Sequence, residues 1–497
     1  MAAVERPFPP GDYDVVVVGS GPGGLQTSYF LRQFGIRHAL LSRDERPGGM
    51  FQRYPIFQRL ITWTKPDAPV ERSSREYEWY DHNSLLAEEP DLKALVPALM
   101  DRAYDLPSRA EMEAGLCAFA DRAGLEARYG CTWESTRYED ERLVLETSDG
   151  EYRCRAAVFA LGVTEPWRAE VPGLEHAAHY VDTRDPARYE GRDVFVVGKR
   201  NSGFEVAQGI LPWARSIVLG SPRAVQTDAL ALSALRVRYL HPYDEYARGA
   251  PGIYVLDASV ESVERTEDGF RVHTRGTQWD GDLVFEADHV IAATGFRTPL
   301  RDLPALGLTT LNDGRVPALT PFWESVSLPG VYFAGNASHG ARGAGRRGEG
   351  ASSSSVNGFR YNARILAQHL AETRFGVSLP RPPLPVGDLV PRLLDELTAS
   401  PELRVQKGYL CHVFTQADGH YVDDGAQPLV HFLDSGDGPA VAASLEVDVG
   451  GTIAPVVYVR ERGGVTEHAL PPHPLHDYDG AAYQAELAAR LRRLVSG

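Results

Sequence analysis

Two short stretches of this chain have the glycine spacing of a dinucleotide-binding loop. The first, Gly19-Ser-Gly-Pro-Gly-Gly24, follows the pattern G-x-G-x-x-G, in which glycines allow a tight turn and let the backbone approach a pyrophosphate. The second, Gly198-Lys-Arg-Asn-Ser-Gly203, keeps the outer glycines and has Arg200 at its centre. Two such loops in one chain predict two dinucleotides, one of which passes electrons to the other.

The elements around the two loops repeat in the same order. The apolar runs Val15–Val18 and Val194–Val197 precede the loops and are typical of buried parallel strands, and each loop opens a predicted helix. Each half continues through a strand and a meander to a buried strand that ends at a glycine, Gly162 or Gly295. This duplication predicts an α/β fold with two Rossmann-like dinucleotide-binding domains, followed by a smaller C-terminal β-rich domain.

Composition and charge argue against several classes of protein. A chain of 497 residues is long enough for two or three domains, and a net charge of −16 argues against a nucleic-acid or anionic-membrane partner. No apolar run reaches the length of a membrane helix, and the N-terminus lacks the features of a signal peptide, so we expect a cytoplasmic protein. The four cysteines form no C-x-x-C pair, so we expect neither a redox dithiol nor a metal site.

The strands that follow the loops bear on the choice of nucleotide. The first ends at Ser42-Arg43-Asp44, where an acid that binds the adenosine ribose is usual; Ser42 or Arg43 occupies that place, and Asp44 is the alternative. The second is followed by Ser221 and Arg223, which suit the 2′-phosphate of NADP, although an exposed structural arginine is the alternative interpretation. The arginine at the centre of the second loop either pairs with the phosphates or blocks a nicotinamide cofactor.

Taken together, these motifs resemble the two-dinucleotide-binding-domain flavoproteins, and within them the flavin-containing monooxygenases and the FAD-dependent oxidoreductase-domain proteins. The resemblance spans Tyr13 to Leu370. Besides the two loops, it rests on Gly48-Gly49, Ala160-Leu161-Gly162, Ala293-Thr294-Gly295-Phe296, Pro329–Gly335, Tyr80–Leu86 and Asn357–Tyr361. It implies FAD on the first half of this region and NADPH on the second.

The resemblance also carries roles over to individual positions. Gly335 is expected against the flavin diphosphate, Asn336 replaces the family's aspartate at the ribityl chain, and Gly48, Gly49 and Met50 are expected against the flavin ring. The predicted cofactor-binding residues are Gly19, Gly21, Pro22, Gly23, Gly24, Ser42, Arg43, Gly49, Met50, Gly162, Gly198, Arg200, Asn201, Ser202, Ser221, Arg223, Thr294, Gly295, Gly335 and Asn336.

Four residues are the candidates for catalysis beside the flavin: Thr64, Lys65, His82 and Asn83. Thr64, next to Lys65, stands where the monooxygenases place an asparagine, and Asn83 is the alternative. His82 is either a base or a hydrogen-bonded structural residue. The monooxygenase linker signature F-x-G-x-x-x-H is incomplete at 171–179, and no cysteine pair follows the glycines at 48–49, which excludes disulfide-reductase chemistry.

The walls of the substrate site are predicted from three further stretches. They are Met50–Trp63, Asp81–Asn83 and a Gly/Ser-rich loop that carries His339, Arg342, Arg346 and Arg347. The arginines suit an acidic or a carrier-bound substrate, and a solvated loop is the alternative interpretation.

The predicted division is an FAD-binding domain at 1–165 and 288–378, an NAD(P)-binding domain at 166–287 and the β-rich domain at 379–497, with a linker at Pro380–Pro391. The predicted function is an FAD-dependent, NADPH-using monooxygenase that oxidises a small-molecule metabolite with O2 through a reduced-flavin/oxygen adduct. One alternative is a flavin oxidase or dehydrogenase that does not use NADPH, which the presence of Arg200 favours. The other is a flavin-binding scaffold without turnover.

Overall fold

The computed structural model describes residues 6–57, 59–104, 106–223, 252–341, 343, 350–436, 438–448 and 450–492. The chain divides into two compact units: unit 1 contains 1–52, 62–163 and 298–497, and unit 2 contains 53–61 and 164–297. Three residues of the predicted substrate wall, Arg342, Arg346 and Arg347, lie outside the described residues. None of the described helices is long and apolar enough to cross a membrane.

Unit 1 is built on a five-stranded parallel sheet. Its strands are, in spatial order, Val331–Phe333, Ala156–Phe159, Val15–Val18, His38–Ser42 and Arg128–Tyr129. Val15–Val18 is apolar throughout and at most 6% exposed, as expected of a parallel strand covered on both faces. Because the first three strands are parallel neighbours, the residues that follow them, Gly335, Ala160 and Gly19, meet at one edge of the sheet.

Unit 1 also contains a meander and several helices. The meander is a four-stranded sheet with the order Gly11–Asp12, Gly150–Cys154, Arg142–Thr147 and Trp133–Glu139. The α-helices before residue 380 are Pro22–Gln33, Leu95–Leu99, Arg109–Arg122 and Val356–Phe375. The 3-10 helices are Gly49–Gln52, Glu76–Trp79, Pro90–Leu92 and Gly335–Gly340, and Thr310–Leu311 pairs with Val316–Pro317.

The C-terminal segment adds a six-stranded antiparallel sheet to unit 1. Its strands are, in spatial order, Pro383–Pro385, His420–Pro428, Leu410–Ala417, Ala440–Val447, Ile453–Glu461 and Gly464–Ala469. Its helices are the α-helices Leu389–Ala399, Pro401–Val405, Leu429–Asp434 and Ala481–Arg490 and the 3-10 helix Val386–Asp388. A short strand, Gln406–Lys407, pairs with Gly350–Ala351.

The prediction of a linker at Pro380–Pro391 is wrong. The stretch contains the edge strand Pro383–Pro385 and the start of the helix Leu389–Ala399. Proline is compatible with both places, because an edge strand does not need every N–H for pairing and the first turn of a helix leaves its N–H groups without helical partners.

Unit 2 is built on a seven-stranded sheet. Its order is Ala178–His179, His289–Ala292, Asp193–Val197, Ser216–Ser221, Ile253–Arg265, Phe270–Gly276 and Asp282–Ala287. The first five strands pair in parallel, and the last two extend the sheet as an antiparallel hairpin. The remaining elements are the α-helix Asn201–Ile210, the 3-10 helices Leu174–His176, Tyr180–Asp182 and Pro186–Tyr189, and the strand pair of Glu165–Pro166 with Phe296–Arg297.

Two segments of unit 2 fall outside the predicted domain at 166–287. The strand His289–Ala292 pairs with Asp193–Val197 and keeps the unit continuous as far as residue 297. The segment 53–61 belongs here as well, since the backbone N–H of Phe57 donates to Glu205 Oε1 over 3.0 Å and that of Ile56 donates to Tyr180 Oη over 3.2 Å. Hydropathy along the chain does not reveal such side-chain anchors.

Candidate functional site

The first glycine loop is fixed by close backbone packing. Gly19 has a φ of +112°, and a Cβ there would lie 2.5 Å from the carbonyl oxygen of Ala160. A Cβ on Gly24 would lie 1.8 Å from the carbonyl oxygen of Gly19. Both positions therefore accept only glycine, for the conformational and packing reasons that the fingerprint embodies.

Other glycines bring two distant segments against the start of the helix Pro22–Gln33. A Cβ on Gly23 would lie 2.5 Å from Gly335 Cα, and one on Gly49 would lie 2.8 Å from Gly21 Cα. Apart from its chain neighbours, the described residues place one atom within 4 Å of a Cβ built on Gly21, and it is Gly49 Cα at 3.7 Å. The three predicted flavin-binding segments thus meet around a helix end that has room for a ligand.

The donor set at this helix end fits the diphosphate of FAD. The N-cap residue Gly21 has no side chain that could cap the helix, and the first turn contains no acidic residue. Pro22 is buried at the first helical position, where its missing N–H is not needed. The positive end of the helix and the backbone N–H groups of its first turn are the groups that bind a diphosphate in this kind of loop.

The predicted ribose residues behave differently from each other. Ser42 is buried: its hydroxyl accepts hydrogen bonds from Ser20 Oγ at 2.8 Å and from the backbone N–H of Asp44 at 3.2 Å. The neighbouring Arg43 is exposed. Ser42 therefore closes the strand end internally, while Arg43 has a side chain accessible to a nucleotide. Gly162 and Met50 are both half-buried.

The second loop repeats the backbone packing of the first. Gly198 has a φ of +125°, and its Cβ would lie 2.5 Å from the carbonyl oxygen of Ala293. A Cβ on Gly203 would lie 2.2 Å from the carbonyl oxygen of Gly198. Arg200 occupies the N-cap of the helix Asn201–Ile210 with a φ of −110°, is exposed and makes no capping hydrogen bond. The arginine therefore leaves the loop backbone unchanged.

Lys199, which the sequence did not single out, turns into unit 2. Its side chain is 1% exposed and forms an ion pair with Asp257. Asp257 pairs in register with Ser221 on the neighbouring strand, so the ion pair lies beside a predicted NADP residue. Ser221 is half-buried and Arg223 is exposed. The two charged partners are separated by 58 positions in the chain, and no local motif signals the pair.

The remaining predicted residues of unit 2 have structural partners or lie in the first helical turn. Thr294 Oγ1 donates to the carbonyl oxygen of Trp167 over 2.6 Å, and the N–H of Trp167 donates to the carbonyl oxygen of Gly295 over 3.0 Å. Thr294 and Gly295 thus hold the segment around Trp167, near the start of unit 2, by hydrogen bonds. Asn201 and Ser202 are half-buried at the start of the helix.

Thr64 and Asn83, both predicted catalytic residues, form one buried polar cluster with Asp81 in unit 1. Asn83 Nδ2 donates to Thr64 Oγ1 over 2.9 Å, and Thr64 Oγ1 donates to Asp81 Oδ1 over 2.9 Å. The amide oxygen of Asn83 accepts from Thr62 Oγ1 at 2.6 Å. Because these groups satisfy each other, the cluster is suited to fixing the backbone at 62–65 and 81–84.

The other two predicted catalytic residues lie apart from this cluster. Lys65 is exposed. His82 packs against aromatic rings, with ring centroids 4.7 Å from Trp63 and 6.0 Å from Trp79. Burial, followed by the charge of Arg360, lowers the pKa of His82 to about 4. His82 is therefore neutral at pH 7, and its buried Nε2 has no hydrogen-bond partner among the described residues.

Arg360 joins the two motifs Tyr80–Leu86 and Asn357–Tyr361. Its side chain is 1% exposed, and its guanidinium donates to the carbonyl oxygens of Asp81 at 2.9 Å and Ser84 at 2.7 Å. The long helix that begins at Val356 is thereby tied to the cluster around Thr64. The sequence showed both motifs, and the structure explains why they occur together.

A hydrogen-bond network from the C-terminal segment reaches the segment after Gly335. Gln406, which is fully buried, donates from Nε2 to Asn362 Oδ1 over 2.7 Å and accepts at Oε1 from the N–H of Ser352 at 2.9 Å. Asn362 donates to Ser338 Oγ over 3.1 Å. Asn336 Nδ2 donates to the carbonyl oxygen of Ser354 over 2.9 Å. Sequence reasoning missed this network, since glutamine in the C-terminal segment carries no motif.

All four cysteines lie in the described part of the chain and are free thiols. Burial raises the pKa of Cys154 to about 12 and also raises the pKa values of Cys117 and Cys131. Cys117 Sγ lies 3.7 Å from the carbonyl oxygen of Pro47, close to the glycines at 48–49, but no second cysteine accompanies it there. A thiol pair for disulfide exchange is therefore absent from this end of unit 1 as far as its residues are described.

Known proteins of two kinds are similar in sequence to this chain. FAD-dependent oxidoreductase domain-containing protein 2 of Danio rerio is 25% identical over 434 residues, covering 76% of this chain and 61% of the relative. This chain thus spans about three-fifths of that relative's length. A flavin-containing monooxygenase of Arabidopsis thaliana is 24% identical over 363 residues, covering 65% of this chain and 71% of the relative.

A solved structure shows the same fold. The flavin-containing monooxygenase of Stenotrophomonas maltophilia covers 72% of this chain and 98% of its own, with a TM-score of 0.54 and 22% sequence identity. At this identity the likeness concerns the fold alone, and it confirms the predicted α/β class with two Rossmann-like domains.

A family model described as pyridine nucleotide-disulphide oxidoreductase matches residues 16–335, more than half of the chain. The match includes both glycine loops and ends at Gly335. FAD and NADPH, the predicted cofactors, are those of this family. The chain belongs to the pyridine nucleotide-disulphide oxidoreductase family of flavin-dependent oxidoreductases.

Proposed function

We propose that this protein is a flavin-dependent monooxygenase that takes electrons from NADPH and transfers one oxygen atom of O2 to a small molecule. The observation that carries the proposal is the shared backbone packing of the two glycine loops, at Gly19 and Gly24 and again at Gly198 and Gly203. The printed name of the Arabidopsis relative, a flavin-containing monooxygenase, gives further support.

Unit 1 is proposed to hold FAD. The N–H groups at the start of the helix Pro22–Gln33 would hold the diphosphate, with Gly49 and Gly335 packed closely enough to leave no side chain in its path. FAD supplies the two-electron chemistry when bound. Thr64 and Asn83 are proposed to be positioning residues, because their polar groups are already satisfied within the cluster. His82, whose Nε2 has no partner in the part of the chain that the structure describes, is the member of the predicted set that is left to accept a hydrogen bond.

Unit 2 is proposed to bind NADPH through the second loop. Arg200 is exposed and its backbone is unstrained, so its guanidinium is able to pair with a phosphate instead of filling the loop. This geometry speaks for NADPH use and against the alternative of an oxidase or dehydrogenase that lacks a nicotinamide site. Arg43 in unit 1 and Arg223 in unit 2 are proposed as additional nucleotide contacts because both are exposed.

The electron acceptor is proposed to be O2. The cysteines provide no thiol pair, and burial raises the pKa values of Cys117, Cys131 and Cys154, which keeps these thiols protonated and unreactive. The chain therefore lacks the dithiol through which a disulfide reductase of this family passes its electrons.

The test is anaerobic mixing of the purified, FAD-containing protein with NADPH, followed by isotopically labelled O2. We expect NADPH to bleach the visible flavin absorption, and the label to enter the products formed from a panel of amines, thioethers and carboxylic acids. If neither NADPH nor NADH bleaches the flavin but a metabolite does, the oxidase or dehydrogenase alternative is correct. Bleaching without label in any product would contradict the monooxygenase assignment.

Arg200→Glu tests whether the second glycine loop binds NADPH. We expect roughly a tenfold increase in the KM for NADPH, which corresponds to ~1.4 kcal/mol of binding energy, with little change in flavin content. Arg265→Glu is the matched control, since Arg265 is an exposed arginine at the end of a strand in the same unit. An Arg200→Glu variant with the KM of the control would show that Arg200 does not contact the nucleotide.

A further inference from the structure

Two cations of the C-terminal segment face one indole ring. Arg404 Cζ lies 5.3 Å and Lys407 Nζ lies 5.8 Å from the ring centroid of Trp79. The same indole contacts His82, which in turn packs on Trp63. Arg404, Lys407, Trp79 and Trp63 are all half-buried. Two positive charges are thus held together beside an aromatic cluster that remains partly open to solvent.

Other cations near the C-terminal segment in unit 1 are paired with carboxylates, unlike Arg404 and Lys407. Arg75 binds the carboxylates of Glu396 and Glu402 at 2.8 and 2.9 Å, and Arg364 binds Glu402 at 2.8 Å. Among the described residues, no carboxylate forms an ion pair with Arg404 or Lys407. In a chain with 67 acidic and 51 basic residues, two neighbouring cations without a carboxylate need an explanation.

Holding the charges of Arg404 and Lys407 close together is energetically unfavourable. Burial, followed by the charge of Arg404, lowers the pKa of Lys407 to about 8, so its charged form is disfavoured. The ammonium of Lys407 donates to the carbonyl oxygen of Arg404, and the Arg404 guanidinium donates to the carbonyl oxygen of Thr398. Arg404 Nε is buried without a hydrogen-bond partner among the described residues. Unsatisfied donors and unpaired charge of this kind are stabilised by an anionic ligand.

His82 supplies a second unsatisfied atom in the same place. It is 8% exposed, and its Nε2 has no partner within the described part of the chain. The charge of Lys407 contributes to the lowered pKa of His82, which places the imidazole within electrostatic reach of the ammonium. The neutral imidazole is therefore available as an acceptor for a hydroxyl or amide of the same ligand.

A cavity of about 380 Å³ lies in the same C-terminal segment as the two cations, and neither cation is among its lining residues. Its lining includes Thr452, His473 and His476. Burial and the charges of Arg404 and Lys407 lower the pKa of His476, so this residue of the cavity lining lies within electrostatic reach of both cations. A cavity of this volume falls within the size range of small-molecule sites and exceeds the need of an inorganic ion.

We propose that Arg404, Lys407 and the ring of Trp79 form a binding site for a small organic oxyanion, either a carboxylate or a phosphate monoester. The two cations receive the oxyanion, and the aromatic cluster contacts the organic part. The site depends on the C-terminal segment, which supplies both charges. It is independent of which electron acceptor the flavin uses.

Isothermal titration calorimetry of the FAD-containing protein tests the site with three probes at constant ionic strength: benzoate, phenyl phosphate and uncharged benzamide. We expect saturable binding of at least one anion, and binding of benzamide weaker by tenfold or more, in keeping with the strength of charge-assisted hydrogen bonds. Tighter binding of benzoate assigns a carboxylate ligand, and tighter binding of phenyl phosphate assigns a phosphate monoester. Equal binding of benzamide, or binding of neither anion, overturns the proposal.

Two variants locate the binding. Arg404→Met and Lys407→Met are each expected to weaken the better anion by roughly tenfold, because each removes one charge-assisted contact. Arg462→Met is the matched control, since Arg462 is an exposed cation in the turn between two strands of the same sheet. Wild-type affinity in both variants overturns the proposal. If Arg404→Met does not fold, Lys407→Met alone decides, since it removes a disfavoured charge.

Discussion

Gln406 of the C-terminal segment donates from Nε2 to Asn362 Oδ1 over 2.7 Å and so reaches the helix that follows the proposed flavin-binding segment at 335–340. Its amide oxygen accepts from the N–H of Ser352, and Asn362 donates to Ser338 Oγ. Gln406, Asn362 and Ser338 are each at most 1% exposed. The C-terminal segment therefore helps to build unit 1 through a continuous buried polar network.

Gln406→Leu should destabilise unit 1, because Asn362 Oδ1 loses the donor Gln406 Nε2 and the N–H of Ser352 keeps only the carbonyl oxygen of Val405 as an acceptor. We expect the free energy of unfolding to fall by about 1–3 kcal/mol, the cost of one unsatisfied buried group. Urea titration measures the change, and release of flavin on heating should occur at a lower temperature. Gln416→Leu, at an exposed position of the six-stranded C-terminal sheet, is the control. Equal stability of the two variants would show that the network contributes little.

The two nucleotide-binding sheets could be predicted from the sequence, and the buried polar network could not. Loops such as Gly19–Gly24 combine local steric demands with an apolar strand before and a helix after, and these are properties of neighbouring residues. The pairs Gln406–Asn362 and Lys199–Asp257 join positions 44 and 58 residues apart. Their contacts depend on how whole sheets pack, which hydropathy and spacing do not encode.

The predicted catalytic residues also show that the sequence does not reveal which side chains contact each other. Thr64 and Asn83 were predicted separately, and the structure joins them through Asp81, which the sequence did not distinguish from its neighbours. Lys65 is adjacent to Thr64 in the chain and points elsewhere, since the bridge between Thr64 and Asp81 gives successive side chains opposite directions. The sequence indicated these segments and could not assign the face of each side chain.

Gly23→Ala should weaken FAD binding while leaving unit 2 unchanged. The new Cβ would lie 2.5 Å from Gly335 Cα, so the start of the helix and the segment 335–340 must separate. We expect the purified variant to contain little flavin and to bind added FAD at least tenfold more weakly, a loss of ~1.4 kcal/mol or more. The ratio of flavin to protein absorbance measures the first effect, and quenching of flavin fluorescence measures the second.

The control for this change is Gly463→Ala, because a Cβ on Gly463 meets no atom of the described residues within 4 Å. Full flavin content in Gly23→Ala would mean that the diphosphate does not bind at this helix end.

His412 should make the stability of unit 1 depend on pH. Its Nε2 lies 2.6 Å from Asp423 Oδ1 and its Nδ1 lies 3.1 Å from Glu396 Oε2. Burial alone would lower the pKa of His412, but the charges of these two carboxylates raise it to about 9. Since the pKa is higher in the folded state, the contribution is complete below about pH 6.5, the value of an unperturbed histidine, and is lost as the pH rises towards the folded value.

His412→Gln should therefore remove a pH-dependent contribution on the order of 3 kcal/mol. Urea titrations at several pH values should show that the wild-type protein loses stability between neutral and alkaline pH, while the variant changes much less across that interval. His420→Gln, on the neighbouring strand, is the control and should retain the wild-type profile. Parallel profiles for the wild type and His412→Gln would contradict the ion-pair assignment.

Lys407→Met should stabilise the protein in the absence of an anionic ligand. The pKa of Lys407 is lowered to about 8 by burial and by Arg404, so below that pH the folded protein holds a disfavoured charge. We expect a gain on the order of 1 kcal/mol at pH 7, reduced by solvent screening of a half-buried group. Because the folded pKa lies below the unfolded one, the wild type recovers stability as pH rises above 8, and the difference between the two proteins should shrink. A variant less stable than the wild type at pH 7 would show that the lysine supports the fold. A more stable variant that binds benzoate or phenyl phosphate more weakly would show that the charge is retained for ligand binding at the expense of stability.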